Sequence, residues 1–469
     1  MEGSTIYKHA LCLYPYCEDL KRGRYYPPLG LETVAAALAP FCEQLDIIDL
    51  RHETGIASDF VRAETDLVII SINWGRNTDF VREQIRLIPT DCFTVVGGRH
   101  ATEAPETWLQ DCPNIDILVR GDGDETIEEI AQGLPFEDIA GISYRQNGDL
   151  VHTNNRQYEN IRNDIYPDRK RRRYRYNIDI EGVGTGVYTD SISGSRGCPF
   201  KCEFCSFNLN PWGEKCPYSS RSAKSVVDEI ESMDADLVLF TDDCFNHEID
   251  RVAEICELIL KRGIKKQYIV NSRIEISKRM DVVRLMERAG FVALLLGIES
   301  AQDKTLKSMR KGFNTAKVLE RFENLRKTKM ILHGYFIFGC IGENEDEMLE
   351  IAPYARKLGI DTLGLSPLRT MPHDGLRDLV ETTPGYHISS EGFIYSDEIS
   401  RKSLKNLRRK IWRQFYTPGH ILTLGWKLIR GGMVTPGLAT RLLYAGARGE
   451  LVRRGRKRAK RCQKIAAVL

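Results

Sequence analysis

The 469-residue chain has no run of eighteen or more apolar residues, which leaves no segment for an ordinary spanning helix. Its opening, MEGSTIYKHALCLYPY, lacks a basic stretch followed by an apolar core and a small-residue cleavage site, so no export leader is expected. Without export, thirteen cysteines predict a reducing cytoplasm rather than a disulfide framework. Cys42, Cys92, Cys256 and Cys340 stand singly in apolar stretches and are expected to be small buried hydrophobes. Acid is nearly missing from one end. Arg401 to Leu469 holds 19 Lys or Arg against the single acid Glu450, a local balance of +18, although the chain as a whole is only +2. A second basic run, RKRRRYRY from Arg169 to Tyr176, has the composition of a solvated linker, a nucleic-acid patch or an anionic-membrane patch.

What is present divides into regions. From Ile6 to about Tyr144, short β-branched runs (DIIDL, DLVIISI, FTVVGG, IDILVRG, IAGISYR) alternate with helical patterns such as GLETVAAALAPF and DFVREQIRLIP. That alternation predicts a Rossmann-like, doubly wound parallel α/β sheet over residues 1–150, with ligands beyond the carboxyl ends of its strands. Those ends carry Asn73 in NWG, Gly97 and Gly98 in GGRH, and Gly121 in RGDGDE; glycine there lets backbone approach a ligand closely or simply makes a tight turn. Residues 151–186 read as a basic linker. Over 187–372 the rhythm resumes in DSISGSR, ADLVLFTDD, KQYIVNSR, VALLLGIES, ILHGYFIFG and TLGLSPL, which predicts a partial (β/α)6 TIM-like barrel with its chemistry at the C-terminal strand ends. Residues 373–469 read as a basic, helical C-terminal region with no repeated strand pattern.

Just after the first barrel strand, SRGCPFKCEFCSF places Cys198, Cys202 and Cys205 as C-x3-C-x2-C. Structural zinc sites are closed by four ligands, whereas a catalytic metal keeps a position open. Three thiolates can hold three irons of a four-iron, four-sulfur cluster and leave the fourth for a small molecule. This motif resembles that of the radical S-adenosylmethionine (SAM) superfamily. The resemblance implies a [4Fe-4S] cluster on the three cysteines, and SAM bound by residues matching the family position by position. Phe204 matches the aromatic whose backbone contacts adenine, Asp242 and Asp243 the groups holding the methionyl ammonium, and Arg273 the partner of the SAM carboxylate, for which a planar guanidinium is well shaped. Glu299 matches an acid near the ribose. FGCIGENEDE, with Gly339 and Gly342, matches the fifth-strand glycine motif along the adenine.

YPPLGLETVAAAL, GGRHATEAPE and RGDGDETIEEI resemble the cobalamin-binding domain fused to many radical SAM enzymes, and the whole resemblance covers residues 1 to about 370. Members that coordinate cobalamin through histidine carry D-x-H-x-x-G. Here the nearest stretch is DLRHETG, with Leu50 in the aspartate position, so His52 is expected to be a loop residue and not a lower ligand. The resemblance implies that the reduced cluster cleaves SAM to a 5′-deoxyadenosyl radical, which takes hydrogen from an unactivated carbon that methylcobalamin then methylates. A flavodoxin- or ferredoxin-type donor would supply electrons. The apolar, aromatic and basic C-terminal region resembles that of hopanoid C-3 methylases and anaerobic magnesium-protoporphyrin cyclases. A large apolar substrate (a hopanoid or other terpenoid lipid, or a tetrapyrrole) is therefore expected, with peripheral contact at the inner face of a membrane through the basic tail. The cyclase type uses the same cofactors without methyl transfer. Nucleic acid is not the expected partner: RNA-modifying relatives carry a second cluster, and Cys12, Cys17, Cys42, Cys92 and Cys112 form no second triplet.

Overall fold

The computed structural model describes residues 7–17, 26–157, 160–180, 183–206, 209–210, 212–371, 375–434, 437–441 and 444. The N-terminal sheet contains β1 (Tyr7–Tyr14), β2 (Cys42–Asp49), β3 (Thr65–Ser71), β4 (Phe93–Gly97), β5 (Ile117–Val119), β6 (Ile142–Gln146) and β7 (Asp149–His152). Their order is β2-β1-β3-β4-β5-β6-β7. Helices α1 (Leu29–Leu38), α2 (Thr78–Arg86), α3 (Arg99–Glu103), α4 (Pro105–Asp111) and α5 (Asp124–Ala131) accompany it. Runs such as Leu67–Ile70 are buried throughout, as expected of parallel strands covered on both faces.

The parallel expectation holds for β1 to β5. IAGISYR differs: its strand β6 runs antiparallel to β5 and turns into β7. The hairpin to β7 has a local cause. Asn147 and Gly148 both adopt positive φ, the conformation a tight two-residue hairpin turn requires, so Asn-Gly folds the chain straight back instead of sending it through a crossover helix.

The second sheet holds β8 (Asn177–Ile180), β9 (Val183–Ile192), β12 (Leu237–Phe240), β13 (Gln267–Ser272), β14 (Phe291–Glu299), β15 (Ile331–Phe338) and β16 (Thr362–Pro367). Between β9 and β12, β10 (Ser195–Arg196) and β11 (Ser219–Ser220) form a short antiparallel ladder that closes the base of the cysteine loop. The six long strands β9 and β12 to β16 are parallel and neighbour one another in chain order, so the sheet is the expected partial barrel. Its first strand begins before residue 187, and antiparallel β8 takes part of the expected linker into the sheet edge.

The outer helices are α6 (Ala223–Ser232), α7 (Ile249–Lys261), α8 (Met280–Ala289), α9 (Asp303–Ser308), α10 (Thr315–Leu325), α11 (Glu345–Leu349) and α12 (Ile351–Leu358). Beyond β16 come α13 (Leu376–Thr382), the hairpin β17 (Tyr386–Ile388) and β18 (Ile394–Ser396), then α14 (Arg401–Phe415) and α15 (Pro418–Arg430). The hairpin is strand structure in a region expected to be helical. Helix α14 is N-capped by the Ser400 hydroxyl and buries Leu404, Leu407, Ile411 and Phe415 against the barrel core.

The basic run Arg169–Tyr176 departs most from expectation. Arg172 donates to Glu32 on α1 (2.7 and 2.6 Å) and to Asp190 on β9 (2.7 and 2.8 Å), and Arg169 donates to Asp190 (2.6 Å) and Glu229 (2.7 Å). The Tyr176 hydroxyl reaches Asp49 at 3.0 Å. Arg172 is a buried clamp between α1 of the first domain and β9 of the second, and Arg169 fixes the run on β9 and α6 of the second domain. They are not a solvated strap or a nucleic-acid patch.

Candidate active site

Both sheets direct the carboxyl ends of their parallel strands toward one shared region. Arg196, beside the cysteine loop, donates to Asp122 at 2.8 Å, and Arg99 donates to Ser206 at 3.0 Å. Trp212 lies over Gly121, where an added Cβ would meet its ring at 3.4 Å. A cavity of about 310 Å3 opens there, lined by Asn73, Gly97, Gly98 and Gly121 from the first sheet and by Arg196 and Leu209 from the second domain.

Gly98 has φ +100°, and a Cβ would come within 2.7 Å of the Ile72 carbonyl, so only glycine fits the turn. The floor is apolar (Leu31, Val34, Ile69, Val95, Val119) and the rim polar (Asn73, Arg99, Thr102, Asp122). An apolar macrocycle edged with amides fits such a lining. No histidine lines it among the described residues. His52 lies elsewhere, stacked on Tyr174 (5.1 Å) and edge-on to Tyr176 (5.2 Å).

Cys198, Cys202 and Cys205 are half-buried on one loop. Among the described residues no three Cys, His, Asp or Glu side chains converge on a single ion. In a four-iron, four-sulfur cluster each thiolate binds its own iron, so three cysteines on one loop are a sufficient donor set. Hydrogen bonding from Cys244 holds the Cys198 thiol down at about 6, so it is readily a thiolate, the form that binds iron. Arg273 brings Nη1 to 4.0 Å from Cys202 Sγ, with its guanidinium 3.6 Å from the Phe200 ring centroid. A buried cation over the loop suits both the thiolates and a ligand carboxylate.

The two neighbouring aspartates divide. Asp242 is fully buried; Oδ1 accepts from Gly194 N at 2.8 Å and Oδ2 from the Ser195 hydroxyl at 2.6 Å. Its carboxylate is committed to the turn that launches the cysteine loop and does not face a ligand. Asp243 accepts from Gly197 N at 3.1 Å, and burial pushes its carboxyl up to about 7, leaving it the member that a ligand ammonium could draw into ionised form.

Glu299 ends β14 with φ +73° at a register shift, a strained conformation for a residue with a side chain. It pairs at 2.9 Å with the buried Lys311, whose ammonium also lies 5.8 Å from the Phe204 ring and 5.7 Å from that of Phe313. Sequence reading missed Lys311, because MRKGFN reads as the basic end of a helix. Phe204 packs against the same small apolar cluster, containing Met309 and Cys340, that Ile337 and Ile341 cover, so the cysteine loop and the fifth-strand motif share one core. Gly339 (φ +72°) and Gly342 (φ +78°) turn that motif, and Tyr386 Oη accepts from Gly342 N at 2.7 Å.

The fold and site therefore define a class: a partial barrel whose cysteine loop could hold a cluster, set strand ends to strand ends against a sheet whose cavity could hold a corrin. Residues 192–355 match the radical SAM superfamily and residues 20–131 the B12 binding domain. An uncharacterized methyltransferase of Pyrococcus horikoshii is 29% identical, covering 76% of this chain and 79% of that one. The anaerobic magnesium-protoporphyrin IX monomethyl ester cyclase of Cereibacter sphaeroides is 27% identical over 55% of this chain and 44% of its own length. The hopanoid C-3 methylase of Methylococcus capsulatus is 28% identical over 64% of this chain and 58% of its own. In fold, the chain is similar to the radical SAM methyltransferase TsrM from Kitasatospora setae, solved with cobalamin and a [4Fe-4S] cluster, at TM-score 0.68 and 17% identity, covering 88% and 90% of the two chains. The chain thus carries a radical SAM domain, which implies a [4Fe-4S] cluster and SAM, and a B12 binding domain, which implies cobalamin.

Proposed function

We propose that the enzyme methylates an unactivated carbon of a large apolar substrate of terpenoid-lipid or tetrapyrrole type. The observation that carries this reading is the shared mouth, where the Gly97-Gly98 cavity and the cysteine loop are bridged by Arg196–Asp122 and Arg99–Ser206. When bound, the cluster with SAM supplies hydrogen abstraction and methylcobalamin supplies the methyl group. The chain's own residues bind and orient. Arg273 and Asp243 offer opposite charges for the two ends of an amino acid, Glu299 and Lys311 form a buried pair beside Phe204, and the apolar walls limit water. A flavodoxin- or ferredoxin-type protein in the cytoplasm would supply electrons.

The substrate class is supported by the names of relatives, a hopanoid C-3 methylase among them. Arg169 and Arg172 are committed to buried carboxylates, so these two arginines of the basic run lend no support to an RNA substrate. The test is to incubate reconstituted enzyme with reductant, deuteromethyl-SAM and cobalamin, adding either lipid extract or magnesium-protoporphyrin monomethyl ester. A product carrying the deuterated methyl is expected. Conversion of the tetrapyrrole to a new ring without added methyl would overturn methyl transfer in favour of cyclisation.

A further inference from the structure

Helix α15, PGHILTLGWKLIR, is apolar on nearly every side, yet none of its residues is buried. A helix of that composition in a water-soluble protein is normally interior. Here the inner side is tethered mainly by polar contacts: His420 Nε2 lies 2.9 Å from the Asp361 carbonyl, and Lys427 pairs with the Asp361 carboxylate. The outer side carries Ile421 (54% exposed), Leu422 (75%), Trp426 (65%) and Ile429 (57%). The spacing 421, 422, 425, 426, 429 forms a single stripe in which the gap is Gly425, so one continuous apolar face meets the surroundings.

Charge indicates what those surroundings are. Residues 401–430, which make up α14 and α15, hold nine Lys or Arg and no Asp or Glu. Lys402, Lys405, Arg408, Arg409, Lys410 and Arg413 are all exposed along α14, and Trp412 among them is 42% exposed. Thirteen residues are too few to span a bilayer, for which about twenty are needed, so the helix can only lie in an interface. Location excludes a partner that must reach the cysteines. Asp361 immediately precedes β16, and Gln267, the first residue of β13, reaches the Gly432 carbonyl. Helix α15 therefore sits at the amino-terminal end of the barrel strands, opposite the cysteine loop, where an electron donor would be a barrel's length from the cluster.

We propose that α14 and α15 form a docking face for an anionic lipid bilayer. The Ile421, Leu422, Trp426 and Ile429 stripe lies at the boundary between headgroups and acyl chains, and the basic side chains lie against lipid phosphates. Docked this way, the molecule is held on the membrane with its catalytic mouth pointing away from it. The face is thus an anchor, and it stands or falls separately from the substrate reading.

Flotation of the full-length protein with vesicles tests it without cofactors. At about 0.1 M salt the protein should float with phosphatidylcholine–phosphatidylglycerol vesicles and much less with phosphatidylcholine alone, and about 1 M salt should weaken it. The triple variant Leu422→Ser/Trp426→Ser/Ile429→Ser should bind anionic vesicles at least about tenfold more weakly, with an unchanged melting temperature because the replaced side chains are exposed. Arg408→Glu/Arg409→Glu/Lys410→Glu should lose the preference for anionic lipid. Wild-type protein that ignores anionic vesicles overturns the proposal. So does a triple variant that floats like wild type, which would assign binding to the basic run Arg453–Arg461, outside the described residues. A wild-type dimer that the triple variant dissociates would overturn it in favour of a second copy of the chain.

Discussion

Asp242 and Asp243 are adjacent and chemically identical, yet one is walled into a turn and the other faces the cysteine loop. Burial and hydrogen bonding separate them where residue type cannot. The three cysteines behave more simply, because thiolate chemistry alone defines their role. Cys198→Ala, Cys202→Ala and Cys205→Ala should each strip the visible iron–sulfur absorbance from anaerobically reconstituted protein and abolish SAM cleavage; full cleavage in any one variant would contradict the assignment. Glu343 yields a pH prediction. Its Oε2 accepts from Gly339 N (2.8 Å) and Cys340 N (3.1 Å), while Oε1 is buried without a partner. Burial raises its carboxyl from 4.5 to about 7, so the fold prefers the protonated form. That contribution is complete below 4.5 and is lost as pH rises through 7, a change of roughly 3 kcal/mol. Glu343→Gln, which stays neutral, should therefore melt progressively higher relative to wild type across this window. Parallel melting curves at all pH values would refute it.

At the scale of elements, the two sheets were legible as alternating strands and helices, and the six barrel strands fell close to their expected positions. The errors have physical causes. IAGISYR has the same apolar, β-branched character as a parallel strand, so its antiparallel pairing with β5 was not legible in it, whereas the Asn147-Gly148 turn beyond it accounts for the hairpin to β7. RKRRRYRY reads as solvated because four of its first five residues are arginine, but Arg169 and Arg172 find carboxylates on elements distant in sequence. Arg172→Met should therefore destabilise the apo protein by about 3–5 kcal/mol, since Glu32 and Asp190 would each lose a buried partner. Thermal or denaturant unfolding measures this. A loss under about 1 kcal/mol would mean the clamp is solvated after all.

For the whole molecule, the consequence lies in how the two domains share one cavity. Asn73 and Gly98 line it from one side and Arg196 and Leu209 from the other, so a ligand held there contacts both. Cobalamin at a hundred times its dissociation constant should stabilise the chain by about 2.7 kcal/mol and raise a single unfolding transition. Calorimetry showing two transitions, with cobalamin shifting only one, would mean that the domains bind and melt independently. The His52→Ala variant should give the same spectrum of bound cobalamin as wild type, because His52 packs on Tyr174 and Tyr176 outside the cavity lining.

Sequence alone determined the parts whose chemistry is local. Strand and helix periodicity depends on neighbours a few residues apart, C-x3-C-x2-C is a donor set within one loop, and Leu50 before His52 was visible without a fold. Tertiary structure decided whatever depends on partners far along the chain. It paired Lys311 with Glu299, turned Asp242 inward, buried Arg172 between Glu32 and Asp190, and left the apolar face of α15 outside. The physical reason is the same in each case: a residue's charge and polarity are intrinsic, but its solvation and its partner are properties of the packed molecule.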